Sequence, residues 1–505
     1  MTEKNNNGVY KLLDELSSKF NPHFTEAAII LAAGHGKRIK SHRSKMLHKI
    51  WEVPTVERVF NACRQGIKNI NAVIVVGIKA EDVMQVIGKR NSTIFAYQEE
   101  QNGTGHAVQV ALSRIEDFAD DGIVYILPGD MGLIDAKTMT EFREKFIESK
   151  ADMMVMTGKY IGDPMSNYYG RIIRAKEKDV NGKTSGNHFG NVIEIKEYKD
   201  ILALREGETY LLKYNSQTFS FTKNELLEID EFNSGVYAFR YKYLRDLIGK
   251  LESNNVQNEI YITDLISLFN QNNLTVTASS PSNNYAVMGF NNKSVLKEME
   301  AIRNKQVYEM LKDIIEIDDP DDFFIHEEVV NDILELDKKG EPLDIVIGKG
   351  VYIGRGVKLN YNVEFKKDVY VHGNVVFGKS VKVYHNVYLS CFKNQRFLIG
   401  DNVQILWGDI IKGNIVIGEG SRIESSVNMT GSDEFPLRIG KNVLIKGTSY
   451  IFGSEIESDV QIEHSVIIKK KIKKLTDKSG AVIPLRYFIP AAEGLEAIED
   501  IKVST

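Results

Sequence analysis

The chain has 505 residues, 26% of them charged and 43% hydrophobic, with a formal net charge of −5. That length suffices for two or three domains with substantial cores, and the near-neutral balance gives no global attraction to nucleic acid. Only two cysteines occur, Cys63 and Cys391, which argues against a disulfide framework or a structural zinc site and fits a reducing, cytoplasmic setting. No stretch approaches the roughly 18 apolar residues of a membrane span, and the polar opening Met1-Thr2-Glu3-Lys4-Asn5-Asn6-Asn7 is unlike a secretory signal.

Val9, Leu12, Leu13, Leu16 and Phe20 recur at helical spacing and predict a short amphipathic helix over 9–20. Three apolar runs follow, Ala27–Leu31, Ala72–Val76 and Ile123–Leu127, each reading as a buried parallel strand. Helical patterns lie between them, over Thr55–Gln65 and Ala80–Ile87, and this alternation predicts a βαβ sheet. Residues 175–232 are more polar. Asp179–Lys183 reads as a turn, and the stretch near 200–230 as added surface structure. A charged helical pattern from about Lys293 to Ile314 serves as a connector.

From residue 345 the texture changes. Apolar residues recur every six positions at Ile347, Ile353, Leu359, Phe365, Val371, Phe377, Val383 and Leu389. A second row holds seven valines, Val351, Val357, Val363, Val369, Val375, Val381 and Val387. Glycine and asparagine fill the intervening positions, and the pattern resumes less regularly at Ile399, Ile417 and Ile439. A hexapeptide period is the signature of a β-helix whose aliphatic rows stack coil on coil. The period resembles the left-handed parallel β-helix of the hexapeptide-repeat acyltransferases. Such a solenoid serves as catalyst, scaffold or trimerisation element alike. The run Lys469–Lys474 reads as a solvated face or end cap.

The chemistry gathers in the first half. Leu31-Ala32-Ala33-Gly34-His35-Gly36-Lys37-Arg38 follows a strand and is expected to open a helix. Its glycines let the backbone approach a phosphate closely; taken alone, the loop is equally a tight strand–helix turn. Arg38 and Lys45 lie just downstream, where positive charge would neutralise phosphates during phosphoryl transfer. The span Leu31–His48 resembles the signature of the sugar-nucleotide pyrophosphorylases. It looks most like the bifunctional N-acetylglucosamine-1-phosphate uridylyltransferase family, whose pattern LAAGxGxRMxSxxPKxLH is met here by LAAGHGKRIKSHRSKMLH.

The resemblance continues in order. Gln98–Ala107 is similar to the family's QxxQxGTGHA segment, which implies that Gln98, Gly103 and Thr104 recognise uracil while Leu31, Ala32, Ala33 and Gly34 line the nucleotide. Asp130, after Gly129 at the end of an apolar run, matches the family's magnesium ligand, and Asn291 matches the second one. Read without the family, Asn291 is a helix N-cap. Gly170, Glu197, Asn233 and Thr263 resemble the sugar and ribose contacts. The resemblance implies Mg2+ as cofactor, UTP and a sugar 1-phosphate as substrates, Arg38, Lys45 and Asp130 as catalytic residues, and a homotrimer formed through the β-helix. Nucleic-acid and membrane partners are not expected.

The fold class expected is α/β, a Rossmann-like nucleotidyltransferase domain followed by a left-handed parallel β-helix. The expected bounds are 1–25 for an N-terminal helical extension, 26–292 for the nucleotidyltransferase domain, 293–344 for the connector, 345–470 for the β-helix and 471–505 for a tail. Four departures from the family touch the pocket walls: Ser44 in place of proline, Pro128 in place of tyrosine, Met131-Gly132-Leu133 in place of a VPL-like segment, and Met288 in place of an acidic residue. The acetyltransferase motifs of the family (RPG, an HVGNFVE-like stretch, GHxxYxGD) are not found, and His372, His385 and His464 lie outside any such context. The expected activity is therefore UTP:N-acetylglucosamine-1-phosphate uridylyl transfer alone. The alternatives are another sugar or nucleotide, an altered acetyltransferase site, or a sensing scaffold without activity.

Overall fold

The computed structural model describes residues 2–34, 36–115 and 117–488, the side chains of residues 2–7 and 37 excepted. The chain forms two compact units that divide between Glu300 and Ala301.

The first unit is built on one sheet. Its strands in chain order are β1 (Glu26–Ala32), β2 (Lys49–Ile50), β3 (Val53–Pro54), β4 (Ile70–Val76), β5 (Thr93–Tyr97), β6 (Ile123–Pro128), β7 (Met153–Lys159), β8 (Arg171–Arg174), β9 (Val192–Lys196), β10 (Thr209–Tyr214), β11 (Gln217–Thr222), β12 (Glu231–Arg240) and β13 (Val276–Ser279). The main sheet runs β13-β7-β12-β6-β1-β4-β5, with β8 and β9 branching from β12. The three apolar runs became β1, β4 and β6, the parallel centre of the sheet. Alternate residues of β1 face opposite sides. Ala28, Ile30 and Ala32 enter one core with α2 (Thr55–Gly66), α3 (Ala80–Ile87) and α5 (Ala136–Ser149). Ile29 enters the other with α4 (Thr104–Leu112), α8 (Tyr241–Ile248) and α9 (Leu265–Gln271). Both faces are covered, which is why the central strands read as unbroken apolar runs.

Register aligns Leu31 with Val75 on one side and with Pro128 on the other. The loops after β1, β4, β5 and β6 therefore leave the sheet at one edge, where the connections diverge to either side. Open α/β sheets bind ligands at such a crevice.

The N-terminal helix, α1, spans Thr2–Leu16 rather than 9–20. It is part of the first unit: Leu13 is buried, and Val9, Leu12 and Leu16 pack on the α2 face. The residues after it satisfy the exposed edge of β5. Phe95 N–H donates to Ser17 Oγ at 3.0 Å and Ser18 N–H to Thr93 O at 2.8 Å, which blocks an edge that would otherwise be free to pair. The stretch near 200–230 folds as the hairpin β10–β11 with α6 (Tyr198–Leu202) and α7 (Lys223–Glu228) around its own small core. Asp179–Lys183 is a turn closed by Asp179 N–H to Lys183 O at 2.9 Å.

The helix expected after the glycine loop does not form. Only 3-10 turns occur, at Lys37–Ile39 and Lys45–Leu47, and the first α-helix after β1 is α2. Gly36 (φ 62°) and Lys40 (φ 49°) are left-handed and interrupt any helical run. His35 lies outside the described residues.

The second unit is a left-handed parallel β-helix of three sheets, with eight, eight and six strands. Register partners such as Val346, Glu364 and Lys382 are 18 residues apart, three hexapeptides per coil. The next step, Lys382 to Gln404, is 22 residues, so four extra residues enter that coil. That insertion, and another between Arg422 and Leu444, explain why the period weakened in the sequence. All seven valines of the second row are buried, each contributing roughly 1.5–3 kcal/mol of apolar burial. In the first row Leu359 is half-buried and the others are buried. Corner residues such as Asn362, Ser380, Asn402 and Asn442 have positive φ, the conformation that Asn tolerates and Gly adopts freely.

The β-helix begins before residue 345. Glu316–Ile317 and Phe323–Ile325 already pair with its strands, so the expected connector is only partly helical: α10 (Lys293–Leu311) and α11 (Glu327–Asp337). Strands continue to Lys471–Ile472, and Leu485 bridges Ile462. Part of the expected tail therefore belongs to the solenoid, while residues 489–505 lie outside the described ones. Lys471 and Lys474 pair with Glu455 and Asp459 one coil below, as a solvated face does.

Candidate functional site

Three clusters meet at the carboxyl edge of the first unit's sheet. The first lies between β1 and the β5–α4 loop. Gln98 directly follows β5, is 3% exposed, and donates from Nε2 to Gly103 O at 3.1 Å. Gly103 has φ 104°, and a side chain there would place Cβ 2.5 Å from Ile260 O; only glycine fits. Thr104 Oγ1 accepts the Ile262 N–H at 3.2 Å, tying this loop to the segment that carries Thr263. Gln101 Nε2 donates to Ala33 O at 3.0 Å and so joins this loop to the Leu31–Gly34 turn. Leu31 O in turn accepts the Gly129 N–H at 2.9 Å.

The second cluster is ionic. Asp130 follows β6, and its carboxylate forms an ion pair with Lys45 Nζ. Lys45 Nζ also donates to Asn291 Oδ1 at 2.9 Å and lies 5.3 Å from the Phe290 ring centroid. A Cβ on Gly289 would sit 3.5 Å from Asp130 Oδ2, so that chain passes close over the carboxylate. Asn291 is not the helix cap. The cap of α10 is Asn292, whose Oδ1 accepts the Val295 N–H at 2.9 Å, which leaves Asn291 to face the ion pair. Arg38 is exposed at a neighbouring cleft of about 690 Å³ that Tyr169, Phe232 and Asn291 also line. Ser44 Oγ and His48 Nε2, on the same loop as Lys45, are buried without hydrogen-bond partners.

The third cluster holds the four expected sugar contacts. β8 pairs β9 with Arg171 opposite Lys196, which brings Gly170 beside Glu197: a Cβ on Gly170 would lie 3.0 Å from Glu197 Oε1. Asn233 N–H donates to Gly170 O at 2.9 Å. Asn233 Nδ2 donates to Tyr237 Oη at 2.8 Å, and its Oδ1 accepts the Gly235 N–H at 2.9 Å and the Tyr237 hydroxyl at 3.1 Å, which leaves one N–H of the amide for a further partner. Thr263 Oγ1 is buried with no partner. Burial, then Asp200 and Asp264, push the Glu197 carboxyl up to about 7. Gly235 meets Pro128, so the departure from tyrosine at that position shapes the wall between this cluster and Asp130.

Sequence reasoning missed Arg171 and Tyr169. Arg171 is fully buried, with Nη2 donating to Asn167 O at 2.8 Å and to Pro164 O at 3.3 Å, and Nη1 donating to Tyr169 O. It clamps the loop that ends in Gly170. Tyr169 stacks on Phe232 with ring centroids 4.4 Å apart. Both residues flank Gly170, but Tyr169 meets Phe232 only in the fold, and the partners of Arg171 are backbone carbonyls, which no residue type announces.

Residues 28–192 match the model of the MobA-like NTP transferase domain. A bifunctional protein GlmU of Acetivibrio thermocellus is 31% identical over 467 residues, covering 90% of this chain and 86% of that protein. This chain belongs to the bifunctional GlmU family. A second GlmU, of Carboxydothermus hydrogenoformans, is 28% identical over 88% of this chain and 98% of its own. A third, of Clostridium tetani, is 33% identical over 64% of this chain and 62% of its own. A solved UDP-glucose pyrophosphorylase overlaps 56% of this chain and 99% of its own at a TM-score of 0.36 and 14% identity. The chain is a sugar-1-phosphate nucleotidylyltransferase. Among the described residues no helix is long and apolar enough to cross a membrane.

Proposed function

We propose that the first unit transfers a uridylyl group from UTP to N-acetylglucosamine 1-phosphate and releases pyrophosphate. The observation that carries this is the convergence of the three clusters at one sheet edge, with Lys45, Asp130 and Asn291 joined at the centre. Gln98 commits its amide nitrogen to Gly103, which turns its carbonyl end toward the uracil N3–H. Glu197, Asn233 and the unpartnered Thr263 hydroxyl meet the sugar's hydroxyls and N-acetyl group. A phosphate oxygen of the sugar 1-phosphate forms a bond to the α-phosphorus while the bond to the β-phosphate oxygen breaks. Arg38 and Lys45 stabilise the charge that spreads onto the phosphates. No covalent nucleophile is required, because positioning and electrostatics suffice for phosphoryl transfer.

Asp130 and Asn291 fit a magnesium ion. Both present hard oxygen donors to one cation, here the Lys45 ammonium. These two side chains would leave the remaining ligands to substrate phosphates and water, as magnesium commonly takes them. When bound, magnesium supplies Lewis-acid stabilisation of the phosphate oxygens.

For the second unit we propose a scaffold that assembles as a homotrimer and transfers no acetyl group. Tyr388, Ile410, Asn428 and Tyr450 stand in register on one face, and the three apolar ones are 41–43% exposed, a mostly apolar row that suits an interface. His464 sits at a corner with φ 40°, and its Nδ1 lies 2.9 Å from Thr448 Oγ1. His372 Nδ1 is buried without a partner. Cys63 and Cys391 are buried free thiols, consistent with a cytoplasmic enzyme.

The test is pyrophosphate release with magnesium, UTP and a panel of sugar 1-phosphates. N-acetylglucosamine 1-phosphate is expected to give the highest kcat/KM. Release with no pair of substrates sinks the enzymatic reading, and preference for glucose 1-phosphate replaces the sugar.

A further inference from the structure

The Lys45 side chain occupies an unusual place. Its ammonium bridges Asp130 and Asn291 (2.9 Å to Oδ1), with only 11% of its side chain and 14% of that of Asp130 exposed. It is held there from behind: a Cβ on Gly36 would fall 2.7 Å from Lys45 Cβ, so the stem packs tightly against a residue with no side chain. The Phe290 ring lies 5.3 Å from the ammonium. The two oxygens that would ligate a divalent ion thus already share a cation, and that cation belongs to the protein.

We infer that Lys45 is a positioning residue for the two cation ligands and must be exchanged from them onto phosphate when the metal enters, so that nucleotide and metal binding are coupled through this side chain. The inference rests on the metal reading above. An ammonium needs about 2.9 Å to an oxygen, and magnesium about 2.1 Å to the same oxygen. The two cations would stand within a few ångströms of each other in a partly dry site, where like charges repel strongly. The one carboxylate of this centre, Asp130, is neutralised by Lys45, so a divalent ion arriving alone must compete with a tethered cation. A triphosphate changes this balance. It gives Lys45 another anionic partner and releases Asp130 and Asn291 in the geometry that Lys45 had imposed. Such coupling is reciprocal: whatever factor the nucleotide adds to metal affinity, the metal adds to nucleotide affinity.

The experiment is a titration of the full chain with Mn2+, read by electron paramagnetic resonance of free manganese and by water-proton relaxation of the bound ion. It is done without nucleotide and then with α,β-methylene-UTP. Wild type is expected to bind Mn2+ weakly alone and more tightly with the analogue. Lys45→Met is expected to bind Mn2+ alone about tenfold more tightly than wild type, the typical scale of one coupled site, and to gain less from the analogue. Lys45→Gln must behave likewise, and matching circular dichroism and melting curves show that both variants are folded. If both bind Mn2+ alone no better than wild type, the inference is overturned, while loss of Mn2+ binding in Asp130→Ala with the analogue leaves the metal reading standing. If Asp130→Ala binds Mn2+ with the analogue as wild type does, the metal reading itself has failed.

Discussion

The two units of this chain handle buried polarity in opposite ways. In the first, polar side chains that the sequence scatters over 260 residues are drawn to one sheet edge. Several are left incompletely satisfied there, as with Thr263 Oγ1 and Ser44 Oγ. In the β-helix the interior is mostly a stack of aliphatic rows. Buried serines such as Ser421, Ser449 and Ser465 interrupt the rows but are hydrogen-bonded to backbone carbonyls. Among the described residues of this unit one carboxyl is fully buried. Asp409 is fully buried at the position that Val387 and Val427 hold in the coils on either side. Its Oδ1 accepts the Val427 N–H at 2.8 Å, and its Oδ2 has no partner. Incomplete satisfaction repeated at a crevice marks a place for substrate, whereas a single buried carboxyl in a solenoid marks a local cost.

The largest expected effect belongs to the centre of the first unit. Asp130→Ala removes both the Lys45 partner and a cation ligand, and should lower pyrophosphate release by about 10³-fold or more, the scale for losing a charge-stabilising group. The same substitution should leave the melting of the β-helix unchanged. Next is Gly103→Ala, which forces a Cβ to 2.5 Å from Ile260 O at φ 104°. It should raise KM for UTP by roughly tenfold, since a strained backbone costs on the order of 1–3 kcal/mol, with a smaller change in KM for the sugar phosphate. Arg171→Met releases the loop that ends in Gly170. It should do the reverse, raising KM for the sugar phosphate several-fold while KM for UTP holds.

The sequence made the strands of the first unit legible because β1, β4 and β6 are buried on both faces and read as unbroken apolar runs. The solenoid was legible because a period of six survives any single substitution. The glycine loop was misread as a helix start, since nothing local distinguishes a phosphate turn that ends in 3-10 turns from one that opens a helix. Adjacent asparagines hid which one caps α10; the Val295 N–H bond to Asn292 and the Lys45 bond to Asn291 separate them. Arg171 was invisible because its value lies in three carbonyls of a loop, and Glu316–Ile325 because those strands precede the helix α11 and have no hexapeptide companion before them. Glu197 was picked out by its resemblance, but its titration was not legible, because burial and the approach of Asp264 arise only in the fold.

That titration gives a smaller effect. With Glu197 held up to about 7, its carboxylate should ionise as pH rises through neutrality. If the ionised form accepts from a sugar hydroxyl, kcat/KM for the sugar phosphate rises between pH 6 and 8, and Glu197→Gln flattens the profile. The smallest effect on activity, none at all, belongs to Asp409. Burial, opposed by the Val427 and Ser426 N–H groups, raises its carboxyl to about 8. Its folded value exceeds its unfolded one, so its charged form opposes folding. The contribution of this group to stability should be fully present below pH 4 and be lost as pH rises through about 8. Asp409→Val should raise the melting temperature of the β-helix at pH 7.5 by several degrees, remove part of that pH dependence, and leave pyrophosphate release unchanged. A drop in melting temperature would mean that Asp409 is a satisfied structural group.

The contrast between the units is tested most directly in one assay of the full chain with UTP and magnesium, by following UDP-N-acetylglucosamine chromatographically. One reaction receives N-acetylglucosamine 1-phosphate, and the other glucosamine 1-phosphate with acetyl-CoA. Product in the first reaction alone is the expected result. Product in both would place a working acetyltransferase on the β-helix, and product in neither would remove uridylyl transfer from the first unit.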